Sequence, residues 1–347
     1  MRQPLIPIFF PDRPALLPGT TILAADVGGT KTDIALFEYQ DGQLSMGREA
    51  IFPSAEYPSL EAIILEFLGG LAPPSRLCIA FAGPVQHGKA KATNLSWEID
   101  IAQLQSEVGI PGVYIINDLE AEAYGLAALQ GGDFSTVYAP AAPEPGNVAI
   151  IAPGTGLGEA GMFWNGRVLY PFATEGGHTD FSPRNTQDWE FLLFLQHQFG
   201  HVSWERIISG PGINQIYNFL RDVKGWEESQ WMKDNWQEHN RPAIISQGAK
   251  NGSALCVETL RLFIRYLAIE SSNQALKFKA TGGLFIGGGI IPKIWNDELK
   301  AVFFDNFFEV GRLRHLLEAV PVHIVLNPKT PLLGAAHFAW GNRQPAG

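Results

Sequence analysis

The chain has 347 residues, with 25 Lys and Arg against 35 Asp and Glu, a formal net charge of −10. That length suits two domains, or one large one, with a sizeable core, and the acidic balance excludes general binding to a nucleic-acid backbone, which needs a basic face. Charged residues at 17% and hydrophobic ones at 46% exclude a strongly charged disordered chain, and no apolar run approaches the roughly 20 residues of a membrane-spanning helix, so a soluble protein without a membrane partner is expected.

Residues 1–19 read as a flexible leader, because Pro4, Pro7 and Pro11 break any signal-peptide core. The first strong pattern, T-I-L-A-A-D-V-G-G-T-K-T-D-I-A-L-F-E, places two alternating apolar stretches around Gly28-Gly29-Thr30 and predicts a buried β-hairpin. Helical spacing follows over 60–68, then a buried strand over 76–82, a helix over 99–108, a strand over 113–116 and a helix from Asp118 through Leu129. Pro140, Pro143 and Pro145 make 131–146 loop-like and mark a domain boundary. The second half then opens like the first: N-V-A-I-I-A-P-G-T-G-L-G-E-A-G-M-F-W is strand, glycine turn, strand, a weak internal repeat. Helices near 188–198, 214–223 and 253–275, a glycine-rich strand exit at 282–292, a strand over 322–326 and a helix from Leu332 complete an α/β alternation that suggests two related lobes with a cleft.

Three glycine turns follow apolar strands: Asp26-Val27-Gly28-Gly29-Thr30, Gly154-Thr155-Gly156-Leu157-Gly158 and Gly287-Gly288-Gly289. Without a Cβ, glycine amides approach phosphate oxygens closely, and successive N–H groups form an anion-binding concavity. An ordinary hairpin is the competing reading of any one turn. Asp26 stands where a carboxylate can hold Mg²⁺ through water beside phosphates, or simply cap the turn; Lys31 reads as an exposed hairpin lysine. At I-I-N-D-L-E, Asp118 is a general-base candidate and equally a helix N-cap. In T-E-G-G-H-T-D, two glycines let Glu175 and His178 bend toward one point, a pairing of acceptor and mixed donor-acceptor that suits sugar hydroxyls.

Other patterns fail. Gly83-x-x-x-x-Gly88-Lys89 has Ala90 where a P-loop needs Ser or Thr; His197 and His201 lack the following Glu of a zinc hydrolase; and Glu159 replaces the third glycine of a dinucleotide turn. Cys78 and Cys256 are too few for a disulfide framework or a cysteine-built zinc site and fit a reducing cytoplasm.

Taken in order, D-V-G-G-T, T-N-L-S-W, I-I-N-D, G-T-G-L-G, E-G-G-H-x-D-F, H-V-S-x-E-R-I-I-S-G-P-G and I-G-G-G-I-I-P-K closely resemble bacterial-type glucokinase from about Ile22 to His337. The resemblance implies the actin-like, ribonuclease-H-like ATPase fold: a small α/β lobe over 20–128 completed by a C-terminal helix over 331–343, and a large α/β lobe over 129–330. It implies ATP-dependent phosphorylation of glucose at the 6-hydroxyl, with ATP and Mg²⁺, in a cytoplasmic protein forming a homodimer. Asp118 becomes the base and a sugar contact. Asn94, Asn117, Glu175, His178 and Glu205 become sugar-binding residues. Ala25 to Thr30, with Gly154, Thr155, Gly156, Gly158 and Gly287 to Gly289, hold the nucleotide, and Asp26 the metal. The cysteine-rich zinc motif of many superfamily relatives is absent, which matches the zinc-free branch. Kinases of another hexose or amino sugar, non-catalytic sugar sensors and filament formers stand as alternatives. A sensor that regulates transcription needs an N-terminal DNA-binding module, for which the residues before the first hairpin leave no room. The segment 225–240, with Trp226, Trp231 and Trp236, lies outside these motifs and reads as a surface insertion.

Overall fold

A computed structural model describes residue 8 and residues 16–83, 85–91, 97–236 and 240–341. Most of the expected leader, and Asn94, lie outside the described residues. The chain divides into two compact units, one of Met1–Asp133, Gly161–Ala173 and Asn327–Gly347, the other of Phe134–Ala160 and Thr174–Leu326. Among the described residues no helix is long and apolar enough to cross a membrane.

The first unit opens with strands β1 (Thr20–Val27), β2 (Lys31–Gln40) and β3 (Gln43–Pro53) and helix α1 (Leu60–Leu68). Strands β4 (Arg76–Phe81), β5 (Val85–Gln86), β6 (Lys89–Lys91) and β7 (Glu98–Asp100) follow, then α2 (Ile101–Val108), β8 (Gly112–Asn117) and α3 (Asp118–Gly125). Its five-stranded sheet has the order β3-β2-β1-β4-β8. The β1–β2 pair is antiparallel, as an alternating hairpin dictates, whereas β1, β4 and β8 run parallel. Parallel strands are covered on both faces, and Leu23, Ala25, Leu77, Ile79, Ile115 and Phe67 form the core there. Local chemistry fixes the helix ends. Ser59 caps α1 and Asp100 caps α2 with side-chain acceptors, and Gly69 and Gly109 stop them in the left-handed region. The cap at Asp100 starts α2 two residues later than its apolar spacing suggests. The P-loop decoy is a hairpin joining β5 to β6, turned by His87 and Gly88 at positive φ.

The second unit begins with β9 (Phe134–Tyr138), which overturns the reading of 131–146 as loop throughout. F-S-T-V-Y is β-prone but lies on the sheet edge, antiparallel to the last strand, so its side chains are half-buried and show no clean alternation. β10 (Val148–Pro153), β11 (Leu157–Trp164) and β12 (Leu169–Ala173) follow, with β11 starting in the second unit and ending in the first, to which β12 belongs. Next come α4 (Thr186–Phe199), α5 (Gly210–Asp222), α6 (Gln230–Asn235), α7 (Arg241–Lys250) and α8 (Ala254–Phe278). β13 (Gly283–Ile286), α9 (Ile291–Ile294), α10 (Asp297–Phe307), α11 (Arg314–Leu317) and β14 (Val322–Val325) complete it. The sheet order is β12-β11-β10-β13-β14-β9, with β10, β13 and β14 parallel.

Helix α8 is buried along most of its length, its polar residues Glu270, Ser271, Ser272 and Gln274 included. It carries Phe263, Tyr266 and Leu267 into the cluster formed with Phe191, Phe219 and Phe303. It also presents Arg265 to the fully buried Asp188 in a two-pronged ion pair of 2.6 and 2.9 Å, with Tyr266 Oη donating to the same carboxylate at 3.1 Å. The tryptophan-rich segment contains α6; Met232 is fully buried, and Trp236 stacks on Tyr217 at 5.4 Å beneath the Arg241 guanidinium.

The last described helix, α12 (Thr330–Gly341), belongs to the first unit and packs on α3. A Cβ on Gly125 would collide with the Thr330 carbonyl, and one on Gly334 with the Ala121 carbonyl, so the two backbones touch directly.

Candidate active site

In the first unit the β1–β2 turn is narrow: the Gly28 N–H donates to Lys31 O at 3.0 Å. Ser54 Oγ donates to the Gly28 carbonyl at 2.9 Å and pairs with Thr32 Oγ1 at 3.0 Å, a brace from the segment after β3 that motif reading missed. Its hydroxyls only acquire meaning once β3 returns the chain to the turn. The side chains of Ala25 and Val27 are in the core, which leaves only their backbone groups for a ligand. Lys31 Nζ lies 2.6 Å from Asp33 Oδ2, so the hairpin lysine is held by its own strand.

Asp26 is the penultimate residue of β1, opposite Asp33 on β2. Burial, then the nearby Asp118 and Asp33 carboxyls, push its carboxyl up to about 7 against the opposing pull of Lys31. One turn into α3, Glu122 is pushed up to about 8 by burial, then by Asp118 and Asp26. The turn therefore opens beside a field of carboxyls that favours a cation.

Strand β8 delivers I-I-N-D to the start of α3, and the sequence left open whether Asp118 caps that helix. The cap is Asn117: its Oδ1 accepts from the N–H groups of Leu119 at 2.9 Å and Glu120 at 3.2 Å, and its Nδ2 donates to the Gly83 carbonyl at 3.4 Å. Asp118 is the first helical residue, and one of its oxygens accepts from the Leu119 N–H at 3.0 Å.

In the second unit, β10 and β13 are neighbouring parallel strands, and both end in glycine turns, Gly154 to Gly158 and Gly287 to Gly289. Ligands favour the carboxyl ends of such strands. The two turns adjoin: Gly288 has φ +77°, and a Cβ there would strike the Pro153 carbonyl. The first turn is closed by the Gly154 N–H on Gly156 O at 2.9 Å and tied to the start of α5 by the Gly210 N–H on Gly154 O at 2.8 Å. Glu205 Oε2 accepts from the Leu157 N–H at 3.1 Å, so this carboxylate is joined to the glycine loop itself, a role that its motif did not reveal. Ser209 Oγ donates to the Glu205 carbonyl at 2.7 Å and caps α5, which accounts for the Ser in S-G-P-G.

Glu175 and His178 sit on one 3₁₀ turn, Gly176–His178 with its flanks, and Glu205 on another, Trp204–Arg206. The two are stitched together by the Trp204 N–H on Thr179 O at 3.0 Å and the Phe181 N–H on Val202 O at 2.9 Å. His201 Nε2 meets Asp180 Oδ1 at 2.9 Å, and its ring lies 5.0 Å from that of His178. Thus the second unit brings Glu175, His178, Glu205 and two glycine turns into one hydrogen-bonded assembly, while Asp26, Asn117 and Asp118 are grouped in the first. Asn94 lies outside the described residues.

Among the described residues no group of three or more His, Cys, Asp and Glu side chains is arranged to hold a metal ion. A Mg²⁺ ion keeps several waters and needs only one or two carboxylates beside substrate phosphates, a requirement that Asp26 could meet. The raised Asp26 carboxyl, crowded by like charges, is the group such an ion would neutralise. Cys78 and Cys256 are both buried free thiols.

Comparison with known proteins gives one answer. The sequence model of the glucokinase family matches residues 23–342. The chain is 40% identical to the glucokinase of Nostoc punctiforme over 91% of its own length and 98% of that protein. It is 35% identical to that of Synechocystis over 92% and 97%. Among solved structures it superposes on the glucokinase of an Antarctic psychrotroph with a TM-score of 0.78 and 31% identity, covering 93% and 99% of the two chains. The fold is shared with a ROK-family glucokinase of Streptomyces griseus solved with glucose and AMPPNP, TM-score 0.61 at 22% identity, covering 93% and 100%.

Proposed function

The chain belongs to the glucokinase family, and from that premise we propose that its two units are the lobes of an actin-like ATPase, with glucose and Mg²⁺-ATP meeting in a cleft between them. It is an enzyme that phosphorylates glucose with ATP to give glucose 6-phosphate. The observation that carries the residue roles is the assembly in the second unit, where Glu205 accepts from the loop at Leu157 while its own turn is bonded to that of Glu175 and His178.

Phosphoryl transfer has a loose transition state, so catalysis is positioning plus neutralisation of charge. Glu175, His178 and Glu205 hold the sugar hydroxyls, with Asn117 contributing its Nδ2 because its Oδ1 is committed to the helix cap. Asp118 orients the 6-hydroxyl and accepts its proton as transfer proceeds. The turns Gly28 to Thr30 and Gly154 to Gly158 face the phosphates with backbone N–H groups other than those of Gly28, Gly154 and Leu157, which bond within the protein, and Gly287 to Gly289 flank the adenosine. Asp26 would hold Mg²⁺ through water, and the ion would supply positive charge beside the transferring group. An acidic protein can thereby bind an anionic nucleotide, since the local field comes from turns and metal rather than net charge.

The test is a coupled phosphorylation assay with ATP and Mg²⁺ across glucose, mannose, fructose, N-acetylglucosamine and N-acetylmannosamine. Glucose is expected to have the highest kcat/KM; preference for an amino sugar would overturn the assignment.

A further inference from the structure

Glu159 is the first residue beyond the Gly154 to Gly158 loop, and the phosphate and sugar roles above leave it unused. It is only 3% exposed, and among the described residues its Oε1 is buried without a hydrogen-bond partner. Its place is beneath the sugar-binding turn. Thr174 Oγ1 donates to the Glu159 carbonyl at 2.8 Å and accepts from the Gly176 N–H at 3.2 Å, so the entry to the turn is bonded to Glu159. Gly176 lies directly on the carboxyl: a Cβ at Gly176 would collide with Glu159 Oε2 and Cδ.

A buried carboxylate with no donor is costly, whereas the protonated acid is tolerated. The charged groups that bear on it are Glu270 on α8, which opposes ionisation, and Lys277 on α8, which favours it but is drawn to Glu270 Oε1 at 3.4 Å. On the turn itself the titratable groups are Glu175 and His178, both exposed. Burial, then Glu270, push the Glu159 carboxyl up to about 8.

We infer that Glu159 is a positioning residue for glucose: its uncharged carboxyl is the seat of the Glu175–His178 turn and sets sugar affinity without touching the sugar. This rests on the proposed sugar role of that turn. Once ionised, the carboxyl must be reached by water or by a donor, and either displaces Gly176 and the two sugar contacts beside it. ATP contacts on the loop are spared.

The experiment is the pH dependence of KM for glucose, KM for ATP and kcat between pH 7 and 9, in the wild type and in Glu159→Gln, a neutral isostere. In the wild type KM for glucose is expected to rise about tenfold across this range, following the ionised fraction. In Glu159→Gln it stays within about twofold while KM for ATP and kcat follow the same pH course in both proteins, and the variant matches the wild type at pH 7. A wild-type KM that is flat to pH 9, or an alkaline rise that persists in Glu159→Gln, overturns the inference. Glucose turnover by the wild type at pH 7 tests the kinase reading separately, because the contrast between the two proteins bears on Glu159 alone.

Discussion

Replacing Asp26 by Asn is expected to make the ligand-free protein more stable and the enzyme far less active. In the unfolded chain the carboxyl ionises near its ordinary 3.8, and in the folded chain at about 7. The folded state therefore binds more protons between those values, and stability falls as pH rises from about 4 to about 7 and stays reduced above. That displacement corresponds to about 4 kcal/mol at most. Asp26 keeps partial contact with solvent, and screening brings the figure nearer to about 2 kcal/mol. Asn carries no such penalty, so at pH 8 without Mg²⁺ the variant should melt higher by about 4–8 °C, taking 2–4 °C per kcal/mol for a unit of this size. At pH 4.5, where little of the penalty has developed, the difference should shrink to about 1–2 °C. Turnover at saturating glucose should drop by about 100-fold or more, since the proposed metal site loses its carboxylate. Scanning calorimetry at the two pH values, beside a coupled assay, reads all three quantities. An Asn variant that melts at or below the wild type at pH 8 would refute the reasoning, because the carboxyl would then be compensated by a partner.

Asp118→Ala should lower kcat by about 10²- to 10⁴-fold with an unchanged far-ultraviolet spectrum, the helix cap being Asn117; near-normal turnover would remove Asp118 as the base. Gly288→Ala, at φ +77° and against the Pro153 carbonyl, should cost about 1–3 kcal/mol in urea unfolding and raise KM for ATP more than KM for glucose. Asp188→Ala leaves the half-buried Arg265 without its partner and should cost about 3–5 kcal/mol, with the loss seen in melting temperature rather than in KM.

The readable part of this chain was its buried part. β1, β4 and β8 in the first unit and β10 and β13 in the second are buried and end at glycine, asparagine or proline turns, so their residues announce both strand and turn. β3 and β9 gave no such signal, because an edge strand is exposed on one side and its pairing is decided by a partner remote in sequence. The site residues follow the same division. Glu175, His178 and Glu205 stand in dense motifs, but the bond from Leu157 to Glu205, the brace of Ser54 on Gly28 and the seat of Gly176 on Glu159 join residues about 17 to 48 apart. The competition between Asn117 and Asp118 for the cap was undecidable from two adjacent polar residues, since either can reach the same amides, and backbone geometry settles it for Asn117.

Where α3 and α12 touch backbone to backbone, no side chain intervenes that could re-orient and absorb a displacement. The pair behaves as a single beam, with Asp118 at one tip. Near the far end of α12 the Arg76 guanidinium donates to the carbonyls of Ala339 at 2.6 Å and Trp340 at 3.0 Å, pinning the beam to β4. The carboxylate we propose as the base is thus steadied through α12 from Arg76, a residue outside the proposed site.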